Sequence, residues 1–142
     1  MLGKFTPKQN LNIPPLKYEM VYKLKEDFKD LEIIINGGIT SINQIKNHLK
    51  KVDGVMIGRS VYHSPYILAD IEREIFDNDE ISSRQEIIEN LTSYVKNEVK
   101  KGTRINQIMR HTLGLFHGQT GSSFWKRYLS ENMCVRDADV KK

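Results

Sequence analysis

Two glycine-bearing stretches of this chain suggest a site for a phosphate group. "LEIIINGGITS" places a polar residue and two glycines after an isoleucine run, and "VDGVMIGRS" ends in a glycine, an arginine and a serine. Backbone N–H groups at glycines are open to phosphate oxygens because no side chain blocks them, and an arginine adds a fixed cation with several N–H donors. The candidate residues are Asn36, Gly37, Gly38, Gly58 and Arg59. The alternative is a tight turn after each run, with no ligand.

The segments around these glycines predict a strand–helix–strand unit. Short β-branched runs bounded by glycine are typical of buried strands in parallel sheets. Between the runs, "TSINQIKNHLKK" predicts an amphipathic helix that begins with a capping box of Ser41 and Gln44. A strand–helix–strand order pairs its strands in parallel. Both glycine stretches would then lie at carboxyl ends of strands and beside helix N-termini, where (β/α)₈ barrels often bind phosphate.

The segments on either side of this unit predict further helices. "YEMVYKLKEDF" has apolar residues near helical spacing, and it follows a proline-rich loop. Ser64-Pro65 predicts the start of another helix, because proline suits the first helical position. The acidic stretch "DNDE" suggests a domain junction. We therefore expect an α/β domain over residues 1–78 and a second domain over residues 79–142.

The second domain is expected to contain only helices. "SRQEIIENLTSYVKNEVKKG" begins with a capping box of Ser83 and Glu86 and ends at Gly102. "TRINQIMRHTLGLF" predicts a second helix with Thr103 as its cap, and "SSFWKRYLSEN" predicts a third after a "HGQTG" turn. These segments also carry all five aromatic residues of this part of the chain, Tyr94, Phe116, Phe124, Trp125 and Tyr128.

Composition and charge restrict the function classes. The 142 residues contain no apolar run near the roughly 18 residues of a membrane span, and the N-terminus lacks the apolar core of a secretory signal. The single cysteine, Cys134, excludes an internal disulfide framework and a multi-cysteine metal site. We therefore expect a cytoplasmic protein with no metal. Residues 1–83 carry a net charge of −1 and residues 84–142 a net charge of +5. On charge alone, this asymmetry fits a polyanionic partner and a solvated helical surface equally well.

Three long segments together resemble the A-type tRNA-dihydrouridine synthases. They are "TPKQNLNIPPLKYEMVYKLKEDFKDLEIIINGGI", "KVDGVMIGRSVYHSPYILADIEREIF" and "KGTRINQIMRHTLGLFHGQTGSSFWKRYLSEN". The resemblance covers nearly the whole chain, in order and with similar spacing, and it matches a C-terminal portion of the family. It implies the last two parallel strands of a flavin-binding (β/α)₈ (TIM) barrel, followed by a helical domain that grips tRNA.

The resemblance also implies roles for particular residues. The phosphate end of flavin mononucleotide (FMN) is expected at Asn36, Gly37, Gly38, Gly58 and Arg59. Contacts with the tRNA backbone are expected at Arg110, Lys126 and Arg127 in the tail, and at Lys8 and Asn10 in the loop after the sixth strand. In the family, reduced flavin passes a hydride to uridine, a cysteine protonates the base, and NADPH re-reduces the flavin. The modified uridine is then expected in the D-loop of tRNA.

The catalytic cysteine of the family belongs to a part of the barrel that this chain does not contain. Cys134 matches no part of that motif, and the histidines have no nucleophile partner, so no catalytic residue is assigned. Two strands cannot close a barrel of eight. We therefore expect the chain to need the missing N-terminal barrel half or a partner chain, to be inactive alone, and to fold alone only in its helical tail.

Two other functions fit some of these features. A catalytically dead remnant of such an enzyme would keep only RNA binding by the basic tail. A different phosphate-binding barrel, acting on sugar phosphates, would explain the glycines but not the tail motifs.

Overall fold

The structure is a computed structural model that describes residues 16–134. Within this range the chain forms seven helices and two strands. In chain order they are α1 (Tyr18–Asp27), β1 (Ile34–Asn36), α2 (Ile42–Leu49), β2 (Gly54–Met56), α3 (Arg59–His63), α4 (Ile67–Ile75), α5 (Arg84–Lys100), α6 (Ile105–Met109) and α7 (Ser122–Asn132). They divide into two compact units, Met1–Ile57 and Gly58–Lys142. The domain boundary expected after residue 78 stays a prediction.

The first unit is built around a parallel pair of strands. β1 pairs with β2 in the register Ile34↔Gly54, Ile35↔Val55 and Asn36↔Met56, with α2 as the connection. The predicted strand–helix–strand unit and the α/β class are thus confirmed. Ile35 is only 2% exposed, whereas its neighbour Ile34 is 59% exposed on the opposite face of the strand. One face of this sheet is therefore covered and the other is open.

Helix α2 begins where the sequence predicts. The Ser41 hydroxyl accepts the N–H of Gln44 at 3.3 Å, and the Gln44 side-chain oxygen accepts the N–H of Ser41 at 3.1 Å. This capping box satisfies backbone donors that a helix N-terminus otherwise leaves unpaired. From this start, Ile45 and His48 lie on the buried side of the helix.

The helix expected to start at Ser64-Pro65 begins later, and a short helix precedes it. Residues 59–63 form α3 directly after Gly58, and α4 begins only at Ile67. Ser64 has a non-helical backbone, with φ −142° and ψ 72°, because the ring of Pro65 disfavours the helical region for the residue before it. The predicted start at Pro65 was therefore too early, and α3 was missed.

The second unit consists of helices and turns across residues 58–134. The capping box of Ser83 and Glu86 at the start of α5 is confirmed, as is the end of that helix at Gly102, which has φ +94°. α6 has only five residues and its N-cap is Arg104, so the expected Thr103 cap was wrong. Thr103 instead donates its hydroxyl to Glu98 at 3.4 Å.

Turns replace the second half of the long helix that "TRINQIMRHTLGLF" predicts. Gly114 lies so close to α3 that a Cβ there would stand 2.2 Å from the carbonyl oxygen of His63. Backbone hydrogen bonds of turn type follow, such as Leu115 N–H to Thr112 O at 3.0 Å. Helix α6 ends early because the backbone at Gly114 comes close to that of His63. Helix propensity contains no information about such a tertiary contact.

Candidate phosphate site and RNA-binding surface

The first candidate site is the glycine turn after β1. Gly37 has φ +104° and Gly38 has φ +61°, the left-handed region that glycine enters without a steric penalty. The hydroxyl of Tyr18 on α1 donates to the carbonyl oxygen of Gly37 at 2.5 Å. The turn therefore has a defined conformation, and the preceding helix helps to fix it.

The surroundings of this turn fit a phosphate group. Within residues 16–134, the backbone N–H groups of Gly38 and Ile39 donate no hydrogen bond to a protein acceptor. Asn36, the last residue of β1, is exposed. A Cβ at Gly38 would stand 2.8 Å from the side chain of Leu16, so Leu16 occupies the space where a side chain would go. The same geometry also suits a tight turn without a ligand.

Gly58 and Arg59 belong to the second unit. Gly58 has φ −114° and is the N-cap of α3; Arg59, the first residue of that helix, is exposed. A Cβ at Gly58 would meet nothing within 4 Å. Unlike Gly37 and Gly38, this glycine is not required by a positive φ or by a close neighbour, so the local structure leaves the choice of glycine unexplained.

The strand register places the ends of β1 and β2 side by side. Asn36 lies beside Met56, so β1 and β2 end at the same edge of the sheet. Gly37 follows the first of these residues directly, and Gly58 comes two residues after the second. That the two glycine stretches bind one phosphate stays a prediction.

A buried histidine supports the elements behind the glycine turn. His48 on α2 contacts the hydroxyl of Tyr22 through Nδ1 at 2.7 Å, and its ring lies 4.6 Å from the Tyr18 ring in an edge-to-face arrangement. Burial, and to a lesser extent the charge of Lys51, lowers the pKa of His48 below its usual 6.5. Since the neutral form is favoured, His48 acts as a packing residue that joins α2 to α1. Sequence reasoning missed Tyr18 and His48; the spacing of Tyr18 and Tyr22 along one helix face was the available signal.

The second candidate site is the basic surface of the helical tail. Arg110, Lys126 and Arg127 are all exposed. Arg110 follows α6 directly and donates its Nε–H to Nε2 of His111 at 3.1 Å. Lys126 and Arg127 lie on α7. Each can reach a phosphate group in solvent, although an ordinary solvated surface has the same exposure. Lys8 and Asn10 lie outside the described residues.

Aromatic contacts join the two basic segments of the tail. The indole N–H of Trp125 on α7 donates to the carbonyl oxygen of Thr112 at 3.1 Å. The rings of Trp125 and Phe116 have centroids 4.9 Å apart. These contacts hold the turns that follow Arg110 against the helix that carries Lys126 and Arg127.

Other candidate chemistry is limited in the described part of the chain. Between residues 16 and 134, no group of three or more His, Cys, Asp or Glu side chains is arranged to hold a metal ion. Cys134 is exposed and has no disulfide. Among the described residues, none of the helices is long and apolar enough to cross a membrane.

Comparisons with known proteins give the family. A family described as "Dihydrouridine synthase (Dus)" matches residues 3–141. A tRNA-dihydrouridine(20/20a) synthase from Haemophilus ducreyi is 45% identical over 141 residues, which are 99% of this chain and 44% of that protein. Proteins with the same name from Synechocystis and from Escherichia coli K12 are 48% and 45% identical, over 96% and 98% of this chain and 41% of each relative.

The matches cover nearly all of this chain but less than half of each relative. This chain spans about two fifths of the length of the curated relatives that it matches. Because the family match nevertheless covers almost every residue of the chain, the chain belongs to the dihydrouridine synthase family.

Proposed function

We propose that this chain supplies the FMN phosphate site and the tRNA-binding tail of a tRNA-dihydrouridine synthase. The glycine turn after β1 is the observation that carries the proposal, because it offers two N–H donors, at Gly38 and Ile39, beside an exposed Asn36. The names of the curated relatives support uridines 20 and 20a of tRNA as the target, in agreement with the D-loop expected for an A-type enzyme.

The residues of this chain would bind and orient the cofactor. The turn and Gly58 present backbone donors without a side chain in the way, and Arg59 adds positive charge for the phosphate. Tyr18 holds the turn through the carbonyl oxygen of Gly37. When bound, FMN that NADPH has reduced supplies the hydride for the reduction of uridine to 5,6-dihydrouridine.

The tail would bind the RNA backbone. Exposed Arg110, Lys126 and Arg127 are placed to contact phosphates, and contacts of this kind supply most of the sequence-independent affinity for nucleic acid. The proposal assigns the remaining barrel strands and the catalytic cysteine to a segment or partner outside this chain. The chain alone is therefore proposed to be inactive.

A chimeric protein tests the proposal. The matching two fifths of the Escherichia coli relative would be replaced by this chain, and the product assayed for bound flavin by absorbance and for dihydrouridine formation in a tRNA transcript. We expect bound flavin and activity. Gly38→Asp should remove the flavin while tRNA affinity is retained. A side chain at this position would meet Leu16 and Tyr18, displace the turn and bring a negative charge next to the phosphate.

The matched control is Gly102→Asp, since Gly102 also has a positive φ but lies at the end of α5. It should retain the flavin. If the two aspartate variants bind flavin equally well, the glycine turn is structural and the cofactor assignment is wrong. If the wild-type chimera folds but never binds flavin, the enzyme proposal fails as a whole.

An RNA-binding remnant is the second candidate function. It is favoured by the location of the excess positive charge, +5 over residues 84–142 against −1 before them. Salt-sensitive tRNA binding by this chain, together with no flavin in the chimera, would select this candidate.

A further inference from the structure

An exposed aromatic patch lies where α3 meets the turn after α6. Its centre is Tyr62, which is 56% exposed. The Tyr62 ring lies edge-to-face with two imidazoles, that of His63 at 6.0 Å and that of His111 at 5.8 Å between ring centroids. The ring is therefore oriented by its neighbours and still open to solvent over half of its surface.

A cation is fixed to the same patch. Arg110 donates its Nε–H to Nε2 of His111 at 3.1 Å, and His111 contacts the Tyr62 ring. The guanidinium and the phenol ring are thus linked through one imidazole, although they are 48 positions apart in the sequence. The close approach of Gly114 to the His63 carbonyl holds the two backbones together at this point.

This combination is the one that proteins use for unpaired nucleotides. An exposed aromatic ring takes a base by stacking, and a neighbouring cation takes the adjacent phosphate. The charge of one of the two segments favours a polyanion, since residues 84–142, which contain Arg110 and His111, carry a net +5. Tyr62 belongs to residues 1–83, which carry a net −1, so the positive charge of the patch comes from the Arg110 side. Tyrosine and arginine are also common in protein–protein interfaces, so the net positive charge, and not these two residue types, favours RNA as the partner.

We propose that Tyr62 is a stacking platform for an unpaired base of the bound RNA and that Arg110 contacts the phosphate next to that base. His111 is then a positioning residue, because it contacts both. The inference rests on the proposed tRNA-binding function and adds a base-stacking residue to what was so far only a set of phosphate contacts.

Affinity measurements on the full 142-residue chain with an unmodified tRNA transcript test the inference. Fluorescence anisotropy over a series of KCl concentrations gives both the affinity and its salt dependence. Tyr62→Ala should weaken binding about tenfold with an unchanged salt slope, as expected for loss of one stacked base. Tyr62→Phe keeps the ring and should bind within about twofold of wild type. Arg110→Ala should also weaken binding, but with a salt slope reduced by about one.

The matched control is Tyr94→Ala. Tyr94 on α5 is 54% exposed, and in the described part of the chain its ring contacts no histidine ring and no arginine guanidinium. It should bind like wild type, and Trp125 fluorescence confirms that each variant is folded. If Tyr62→Ala and Tyr94→Ala bind tRNA equally well, the stacking platform is overturned while the tRNA-binding function stands. If the wild-type chain binds no tRNA even at low salt, the proposed tail function itself fails.

Discussion

At the scale of single residues, Glu86 makes the stability of the tail depend on pH. Its carboxylate accepts the backbone N–H of Ser83 at 2.7 Å. This hydrogen bond, with a smaller contribution from the Ser83 side chain, lowers the pKa of Glu86 below its usual 4.5. Because the folded state favours the ionised form, the contribution to stability is complete above pH 4.5 and is lost as the pH falls through the lower folded-state pKa.

The variant Glu86→Gln should separate the cap from its charge. Glutamine keeps the capping-box hydrogen bond but does not titrate. We expect a slightly lower melting temperature than wild type at pH 7, and a smaller further decrease on going to about pH 3.5. Thermal unfolding followed by the fluorescence of Trp125, the only tryptophan of the chain, measures both. A decrease between pH 7 and about pH 3.5 as large in Glu86→Gln as in wild type would contradict the assignment.

The glycines after β1 and β2 show that residue types predict where a strand ends but not the backbone conformation of the turn that follows. As the sequence predicts, two glycines and a polar residue mark the end of β1, and a glycine and an arginine come shortly after β2. Asn36 is the last residue of β1, Gly37 and Gly38 follow it, and Gly58 and Arg59 come after β2. The sequence did not distinguish Gly37 and Gly38, which have positive φ, from Gly58, which has φ −114°. The difference depends on how the chain leaves each strand: one turn is held by Tyr18, and the other runs straight into α3.

At the scale of elements, Gly114 determines how α3 and the turn after α6 pack. A Cβ at this position would stand 2.2 Å from the His63 carbonyl oxygen and 3.1 Å from Cδ of Pro65. The first neighbour is backbone and cannot rotate away. Gly114→Ala should therefore destabilise the helical unit by about 2 kcal/mol or more, the cost of forcing an extra methyl group into a packed contact.

Urea unfolding followed by Trp125 fluorescence measures that loss. The control is Gly118→Ala, in a nearby turn where φ is +77° and a Cβ would meet nothing within 4 Å. It should cost only about 1 kcal/mol, the penalty of a left-handed alanine. Equal losses in the two variants would show that the contact between Gly114 and His63 relaxes without cost.

The two helix starts that have a capping box could be predicted from the sequence, whereas the starts expected at Pro65 and Thr103 were wrong. The capping boxes at Ser41 and Ser83 are local, so four consecutive residues contain the whole signal. The break at Ser64 depends on the proline that follows it. The end of α6 depends on tertiary packing, for which the local sequence contains no signal. The patch around Tyr62 was missed for the same reason, because its parts come from two distant segments.

At the scale of the whole molecule, the small sheet is incompletely covered. β1 and β2 have three residues each, and Ile34 and Met56 on their open face are 59% and 50% exposed. An isolated two-stranded sheet is marginally stable in water. The chain also spans only about two fifths of its curated relatives. Under the proposed function, the open face is covered by the further barrel strands.

Hydrogen exchange on the isolated chain tests this expectation. The amides of β1 and β2 should exchange much faster than those of the middle of α5, which serves as the internal reference because it belongs to the other unit. Size-exclusion chromatography with light scattering gives the oligomeric state of the same sample. A monomer in which β1 and β2 are as protected as α5 would show that the sheet needs no further strands.

The same experiment tests where the stable tail begins. The sequence predicts a domain boundary after residue 78, which would leave α3 and α4 with the barrel. In the structure, α3 and the turn before α4 contact the tail. Gly114 packs on His63. The Arg84 guanidinium lies 3.6 Å from the centre of the Tyr66 ring, and its Nε–H donates to the Leu115 carbonyl at 2.9 Å. We therefore expect residues 59–75 to share the protection of α5. Exchange of these residues at the rate of β1 would instead favour the boundary at residue 78, and would leave the Tyr62 patch ordered only in the complete enzyme.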